Sequence, residues 1–329
     1  MTGIYFHLTD MNAEENKKAP VALFLWKRPE NTRKILSEII DYGPPMIFLI
    51  IDGARDQKEL EAINKVKSVI NELLENKAIK YKINASDVHL GLFRRFKSGF
   101  EWIFSHTEEI IILEDDTIPS PSFFQFCNTY LNKFRNDQKV VAINGFFIPT
   151  DKEKKRLNIE GPFFKKGFGP WGWATWKDKF INTYQPHDSD LSLFKKIQVL
   201  LWIRNLDHFF KRYNVLKSIL DGRLNVWAVQ FQWNIMEQKK LILWSHVNLI
   251  KNNGLDEHAA TQVKDWNGFI NIPISKEDIV WERFTEFRII KKYEIIGYKY
   301  KNNSRYIFNI IRRIIKKIDK IINKKVSGI

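Results

Sequence analysis

Between residues 20 and 145 the chain alternates short apolar runs with amphipathic stretches, and few folds accept that pattern. Val21 to Trp26, Met46 to Ile51, Ile110 to Leu113 and Val140 to Ile143 are apolar runs of four to six residues. Each is too short for a buried helix and reads as a buried strand. Ile79 to Ile83 alternates weakly and reads as a further strand. Between them, Ile35, Ile39 and Ile40 share one helical face, as do Leu60, Ile63, Ile70, Leu73 and Leu74, and then Leu92, Phe96, Phe100 and Ile103. Ser122 to Phe134 reads as another helix, and Gly43-Pro44-Pro45 stops the first. Strands separated by helices imply βαβ units and an α/β fold with a mainly parallel sheet. Wholly apolar strands imply helices on both faces of that sheet.

After residue 145 the pattern weakens. Residues 161–176 are rich in glycine and aromatics, 190–220 and 226–240 read as helical, 241–250 contain a strand, and 251–262 form a polar loop. The single cysteine, Cys127, excludes a disulfide scaffold and a cysteine zinc site. There is no Gly-rich dinucleotide fingerprint, no P-loop, no G-x-S-x-G elbow and no H-E-x-x-H.

Open parallel sheets bind ligands at the carboxyl ends of their strands. Two acidic features stand there. Asp52-Gly53 ends the second strand, and Glu114-Asp115-Asp116 ends the fourth, followed by Ile118-Pro119-Ser120-Pro121. Adjacent carboxylates repel one another, and a divalent cation compensates that repulsion through oxygen ligands. A solvated acidic turn and an Asp-Gly turn are the plainer readings of the same residues. Trp171-Gly172-Trp173-Ala174-Thr175-Trp176 could form a platform for sugar rings or a packed aromatic corner.

The order of these features resembles a known family. Trp26-Lys27-Arg28-Pro29 follows the first strand and Asp52 the second. Leu90-Gly91-Leu92-x-x-x-Phe96 opens a helix, and Leu113-Glu114-Asp115-Asp116-Thr117-x-Pro119-x-Pro121-x-Phe123-Phe124 follows. Over roughly residues 20–265 the chain resembles the GT-A glycosyltransferases, close to the N-acetylglucosaminyltransferase I type and bacterial family-2-like sugar transferases. The resemblance implies a Rossmann-like sheet, mixed but mainly parallel, and a nucleotide-diphosphate sugar donor. In that reading Asp116 ligates Mn²⁺ or Mg²⁺. Glu114 and Asp115 hydrogen-bond the donor sugar or ribose, Asp52 faces the nucleobase, and Arg28 and Arg95 lie near the phosphates. Trp171, Trp173 and Trp176 would line the acceptor side. Asn248 to Gln262 resembles the loop that closes over the donor phosphates. Ala228 and Val229 follow Trp227, where relatives often carry the aspartate that deprotonates the acceptor. Asp221, Glu237 and Asp256 remain as candidate bases, with no choice among them.

The chain carries a net charge of +15, unevenly placed. Residues 288–329 hold 13 Lys/Arg against two acids, whereas residues 1–287 hold 40 against 36. Ile307, Ile310, Ile311, Ile314, Ile315, Ile318, Ile321 and Ile322 recur every three or four residues among those cations. Residues 306–325 therefore read as an amphipathic helix that lies on an anionic membrane surface. Docking on the body and binding another polyanion are the alternatives. Nucleic acid is not expected, because no nucleic-acid motif appears.

The expected organisation is a flexible leader over 1–19, a catalytic domain over 20–265 and an extension over 266–329. The leader holds Asp10, Glu14 and Glu15 and does not read as a signal peptide. The expected function is an inverting, metal-dependent transfer of a hexosyl or N-acetylhexosaminyl group to a glycan or glycolipid hydroxyl. The product would be a surface glycan such as lipopolysaccharide or capsule, made at the cytoplasmic face of the membrane. A non-catalytic peripheral membrane protein and a metal-dependent nucleotidyltransferase are the alternatives.

Overall fold

The computed structural model describes residues 5–6, 17–75, 77–147, 159–203, 206–254, 274–275 and 279–289. In chain order the first elements are β1 (Tyr5–Phe6), β2 (Val21–Leu25), α1 (Pro29–Tyr42), β3 (Ile47–Ile51), α2 (Gln57–Leu74), β4 (Tyr81–Ala85) and α3 (Gly91–Phe104). Next come β5 (Glu109–Glu114), β6 (Thr117–Pro119), α4 (Pro121–Lys133), β7 (Val140–Asn144), β8 (Phe163–Lys165), β9 (Trp173–Trp176) and α5 (Lys177–Thr183). The last are α6 (Leu193–Ile203), α7 (Leu206–Leu220), α8 (Trp227–Glu237), β10 (Leu241–Trp244), β11 (Ile250–Asn252) and β12 (Phe287–Ile289).

Ten strands form one mixed sheet in the order β1-β12-β8-β10-β7-β9-β5-β2-β3-β4. β4, β3, β2 and β5 are parallel. β9 runs antiparallel between β5 and β7, so those two point the same way, and β10 follows β7 in parallel. The carboxyl ends of β2, β3, β4, β5, β7 and β10 therefore share one end of the sheet, the crest. The α/β class and the mainly parallel sheet expected from the sequence are present.

Side chains alternate across the sheet as a pleated strand requires. Val21, Leu23 and Leu25 of β2 join a core with α1, α2 and α4. Ala22 and Phe24 join a second core with α3, α5 and α8. The far side of α8, through Trp233 and Met236, packs on α6 and α7. Local signals fix the helix ends. Pro29 and Pro121 open α1 and α4, where a missing N–H costs nothing. Gly43 closes α1 at φ 64°, a left-handed position that glycine occupies without strain.

α2 opens with Asp56 accepting the Glu59 N–H at 2.8 Å. Glu59 also accepts from the Arg55 guanidinium and, at 2.9 Å, from Lys27 Nζ. Arg55 first, and then Lys27, hold its carboxyl down at about 2, against the opposing effect of burial. A depressed carboxylate contributes stability above its unfolded value of 4.5 and loses it as pH falls through about 2. Because Arg55 is half exposed, Glu59→Gln should cost about 2 kcal/mol at pH 7 in urea unfolding. The difference from wild type should shrink to nothing near pH 2.

Two boundaries differ from the expected ones. Tyr5–Phe6, within the expected flexible leader, pairs with β12. Ile279, Trp281 and Phe287, within the expected extension, are buried in the first core, and β12 pairs in parallel with β8. The contacts divide the chain into Met1–Glu294 and Ile295–Ile329, so the boundary lies later than residue 265. Two aromatic side chains explain this: Trp281 packs on Phe126 and Phe287 on Phe134. The expected basic helix over 306–325 lies outside the described residues. No described helix is long and apolar enough to cross a membrane.

Candidate active site

The acidic triplet sits at the crest, at the end of β5. Glu114 is the last residue of that strand, and Asp115-Asp116 turn the chain into β6. The buried Thr117 hydroxyl fixes the turn, accepting the Glu114 N–H at 2.8 Å and donating to the Glu114 carbonyl at 2.9 Å. β6 pairs antiparallel with β11, placing Thr117 opposite Asn252. The Asn253 N–H then donates to the Asp116 carbonyl at 2.7 Å, and the Gly254 N–H to Asn252 Oδ1 at 2.8 Å. The Asn252-Asn253-Gly254 turn is thus folded directly against Asp116.

The three carboxylates have different surroundings. Asp115 accepts the Trp26 N–H at 3.0 Å and Arg28 Nη1 at 2.7 Å, which ties the end of β5 to the loop after β2. Arg28 and Asp115 are therefore together, as a salt bridge. Glu114 is pushed well above the usual carboxylate range by burial, then by the charges of Asp116 and Asp115, with Arg28 opposing. Asp116 is raised to about 6 by burial and then by Asp115, with Arg28 and a hydrogen bond to Asn252 opposing. Asp116 Oδ1 is buried and has no hydrogen-bond partner. Such an atom costs about 1–3 kcal/mol in a finished protein interior.

A divalent cation fits that atom. Among the described residues no group of three His, Cys, Asp or Glu side chains could hold a metal by itself. Mg²⁺ and similar ions, however, are commonly held by one or two carboxylates, with substrate phosphates completing the shell. One unpartnered carboxylate oxygen beside two further acids suits that mode, and does not suit a closed all-protein cage. Asp116 would be the ligand.

The cradle around Asp116 requires a glycine. A Cβ at Gly254 would lie 2.1 Å from Asp116 Oδ2. Gly254→Ala should therefore displace the carboxylate and weaken binding of a divalent cation such as Mn²⁺ to Asp116 about 100-fold. The melting temperature should change by only a few degrees, since β11 and β6 stay paired. Titration calorimetry beside a thermal melt reads both.

Asp52 is buried at the end of β3 and is engaged within the protein. Its oxygens accept the N–H groups of Gly53, Leu90 and Gly91 at 2.9, 2.9 and 3.1 Å, and its Oδ2 lies 3.0 Å from His89 Nδ1. It thereby joins the β3 end to the start of α3. His89 stacks on Trp26 at 5.1 Å, and Lys27 and Arg55 lie over the same indole at 4.1 and 4.8 Å. The sequence does not single out His89 as a site residue, and Asn252 and Gly254 enter it only through the resemblance of residues 248–262 to a loop over donor phosphates, with no contact to Asp116 expected. The one signal for His89 is its place just before Leu90-Gly91, whose N–H groups Asp52 takes. Arg95 is buried on α3 and donates through Nη2 to Asn84 at the end of β4. Burial lowers it and the nearby Asp52 charge raises it. Arg95 thus lies beside Asp52.

The tryptophans separate. Trp173 is 0% and Trp176 1% exposed. Trp173 packs on Phe168 and Trp227 in the second core, while Trp176 donates to the Leu131 carbonyl at 3.1 Å in the first. Neither offers a face to an acceptor, because a strand inside a sheet buries both sides. The acceptor-side expectation for these two is corrected accordingly. Trp171 alone stays partly exposed, against Phe146.

The candidate bases also separate. Glu237 ends α8, which leads into β10, so it lies at the amino ends of the parallel strands, away from the crest. There it pairs with His187 at 3.4 Å and Lys195 at 3.7 Å. The structure thus corrects its candidacy as a base. Asp221 is exposed and pairs with Arg223 at 2.8 Å. Asp256 lies outside the described residues, as does the loop from 255 to 262.

No family model and no curated protein matches the chain. Solved structures similar to it include the mannosyltransferase PcManGT from Pyrobaculum calidifontis in complex with GDP-Man and Mn²⁺. That match has 10% identity, covers 67% of this chain and 68% of that one, and has a TM-score of 0.40. A UDP-glucose pyrophosphorylase complexed with UDP-glucose matches at 10% identity, over 77% of this chain and 96% of that one, with a TM-score of 0.39. The 4-diphosphocytidyl-2C-methyl-D-erythritol synthase from Anaerococcus prevotii matches at 9% identity, over 78% and 97%, with a TM-score of 0.37. The functional reading rests on the site itself.

Proposed function

We propose that the chain is a metal-dependent glycosyltransferase that takes a nucleotide-diphosphate sugar. The observation that carries this reading is the buried, unpartnered Oδ1 of Asp116, at the carboxyl end of a central strand and inside an acidic triplet. A divalent cation bound there would neutralise the charge that develops on the diphosphate leaving group. The protein's own residues would do the rest. Asp116 would hold the cation's protein side, and Asn252 would hold Asp116 in place. Arg28, oriented by Asp115, would face the phosphate side of the crest. Asp52 would keep the first turn of α3 at the β3 end, where the Trp26 indole and its flanking cations suit a nucleotide. Trp171, partly exposed, is the tryptophan of the three that would meet an acceptor sugar ring.

The wider role is part of the proposal: transfer to a glycan or glycolipid hydroxyl in surface-glycan assembly, on a membrane surface engaged by residues 306–325. One observation favours the non-catalytic alternative. Among the candidate bases, Glu237 lies away from the crest and Asp221 is paired with Arg223. A nucleotidyltransferase could use the same carboxylate, but the loop after β2, Trp26-Lys27-Arg28-Pro29, holds no glycine to cradle a triphosphate.

Calorimetry with UDP and GDP, with and without Mn²⁺, tests the binding step. Release of nucleoside diphosphate from a panel of sugar donors tests the chemistry. Metal-dependent binding with slow donor hydrolysis or transfer is expected. Absence of metal-dependent binding would sink the enzyme reading. Binding without turnover would favour the non-catalytic protein, and pyrophosphate release from a nucleoside triphosphate and a sugar phosphate would favour the nucleotidyltransferase.

A further inference from the structure

α6 has apolar residues on two opposite faces. Val199 and Ile203 are buried against α7 and α8. On the other side Leu193, Phe194, Ile197 and Leu201 are 64, 76, 46 and 68% exposed. At 100° per residue these four fall within one arc of about 100°. They form a contiguous stripe, unlike the scattered single hydrophobes normal on protein surfaces. Because α6 lies outside α8, the stripe is a convex ridge. A protein partner would have to bring a groove to it, whereas a lipid surface accepts a convex apolar ridge directly.

Charge selects among the occupants. Residues 186–224, which contain α6 and α7, hold seven Lys/Arg against four Asp. Lys195, on α6, pairs with Glu237 of α8 at 3.7 Å and keeps half its side chain exposed. A second copy docked ridge to ridge would bring two segments of net positive charge together, while an anionic bilayer attracts such a segment. We propose that the Leu193-Phe194-Ile197-Leu201 ridge of α6 inserts into an anionic lipid surface. This contact is separate from any made by residues 306–325 and independent of the chemistry at Asp116.

The test uses the full chain. Cys127 is fully buried, so Ile197→Cys supplies a single accessible thiol for an environment-sensitive fluorophore. Vesicles of phosphatidylglycerol and phosphatidylcholine should blue-shift its emission, and phosphatidylcholine alone should not. A label at Lys82→Cys, on β4, should stay unshifted. Phe194→Gln with Leu201→Gln should weaken vesicle sedimentation about tenfold. Since both side chains are already exposed, melting temperature and nucleotide binding should stay at the wild-type level. Vesicle binding with no shift at position 197 would show that other residues carry the contact, and would overturn the proposal. A shift that grows with protein concentration without lipid would overturn it in favour of a second copy.

Discussion

Asp116→Asn should make the metal-free protein more stable and, on the proposed function, abolish sugar transfer. In the folded protein the carboxyl is raised from 3.8 to about 6. A group raised in this way contributes its stability below the unfolded value and loses it as pH rises through the folded one. The variant should therefore match wild type below pH 4 and gain on it between pH 4 and 6. Above that the gain should level at about 1–2 kcal/mol, or several degrees in melting temperature. Turnover should fall by about a thousandfold or more, and Mn²⁺ should no longer strengthen nucleotide binding. Mn²⁺ with UDP should raise the melting temperature of wild type and not of the variant. An asparagine variant as active as wild type would rule out Asp116 as the metal ligand, and one less stable than wild type at pH 8 without metal would rule out the raised carboxyl.

The second large effect concerns stability. Trp173 is fully buried, edge-on to Phe168 at 4.9 Å and stacked on Trp227 at 5.7 Å. Trp173→Ala should cost about 3–5 kcal/mol, enough to leave much of the protein unfolded at 37 °C. Trp171→Ala should leave denaturant unfolding within about 1 kcal/mol of wild type and act on acceptor KM instead. A Trp173→Phe variant that folds normally while losing only acceptor affinity would return that residue to the acceptor side.

These residues also show where the sequence is informative. β2, β3, β5 and β7 are legible because both of their faces are covered, so each appears as an unbroken apolar run. β9 is equally buried, yet its tryptophans sit among glycines and read as a sugar platform as readily as a strand. The two readings differ only in what packs on the rings, which is a property of distant residues such as Trp227 and Leu131. β12 escapes a sequence reading for a related reason. Phe287, and Trp281 just before the strand, stand among charged residues, and they pack on Tyr130 and Phe126 of α4, about 150 residues away in the chain. At the site, adjacent acids at a strand end point to Asp116. Nothing local to them points to Asn252-Asn253-Gly254, which arrives through the β6–β11 pairing. Asp115 and Asp52 look alike as strand-end acids, yet each hydrogen-bonds a neighbouring loop. That role depends on which N–H groups lie opposite, and only the folded chain decides it.

The position of β9 has a consequence for the order of assembly. β2 to β5 can form a parallel four-stranded unit from residues 21–114 alone. β5 and β7 never touch as partners; residues 173–176 must come back between them first. β9 is thus the seam through which β7 and β10 are joined to the earlier strands. Closing it requires contacts between segments more than 60 residues apart, which makes it an intrinsically late and slow step. During synthesis, the half-sheet that ends in Glu114-Asp115-Asp116 would present an open β5 edge until Trp173–Trp176 had emerged. The stretch of chain between these segments therefore sets how long that edge remains exposed to other chains.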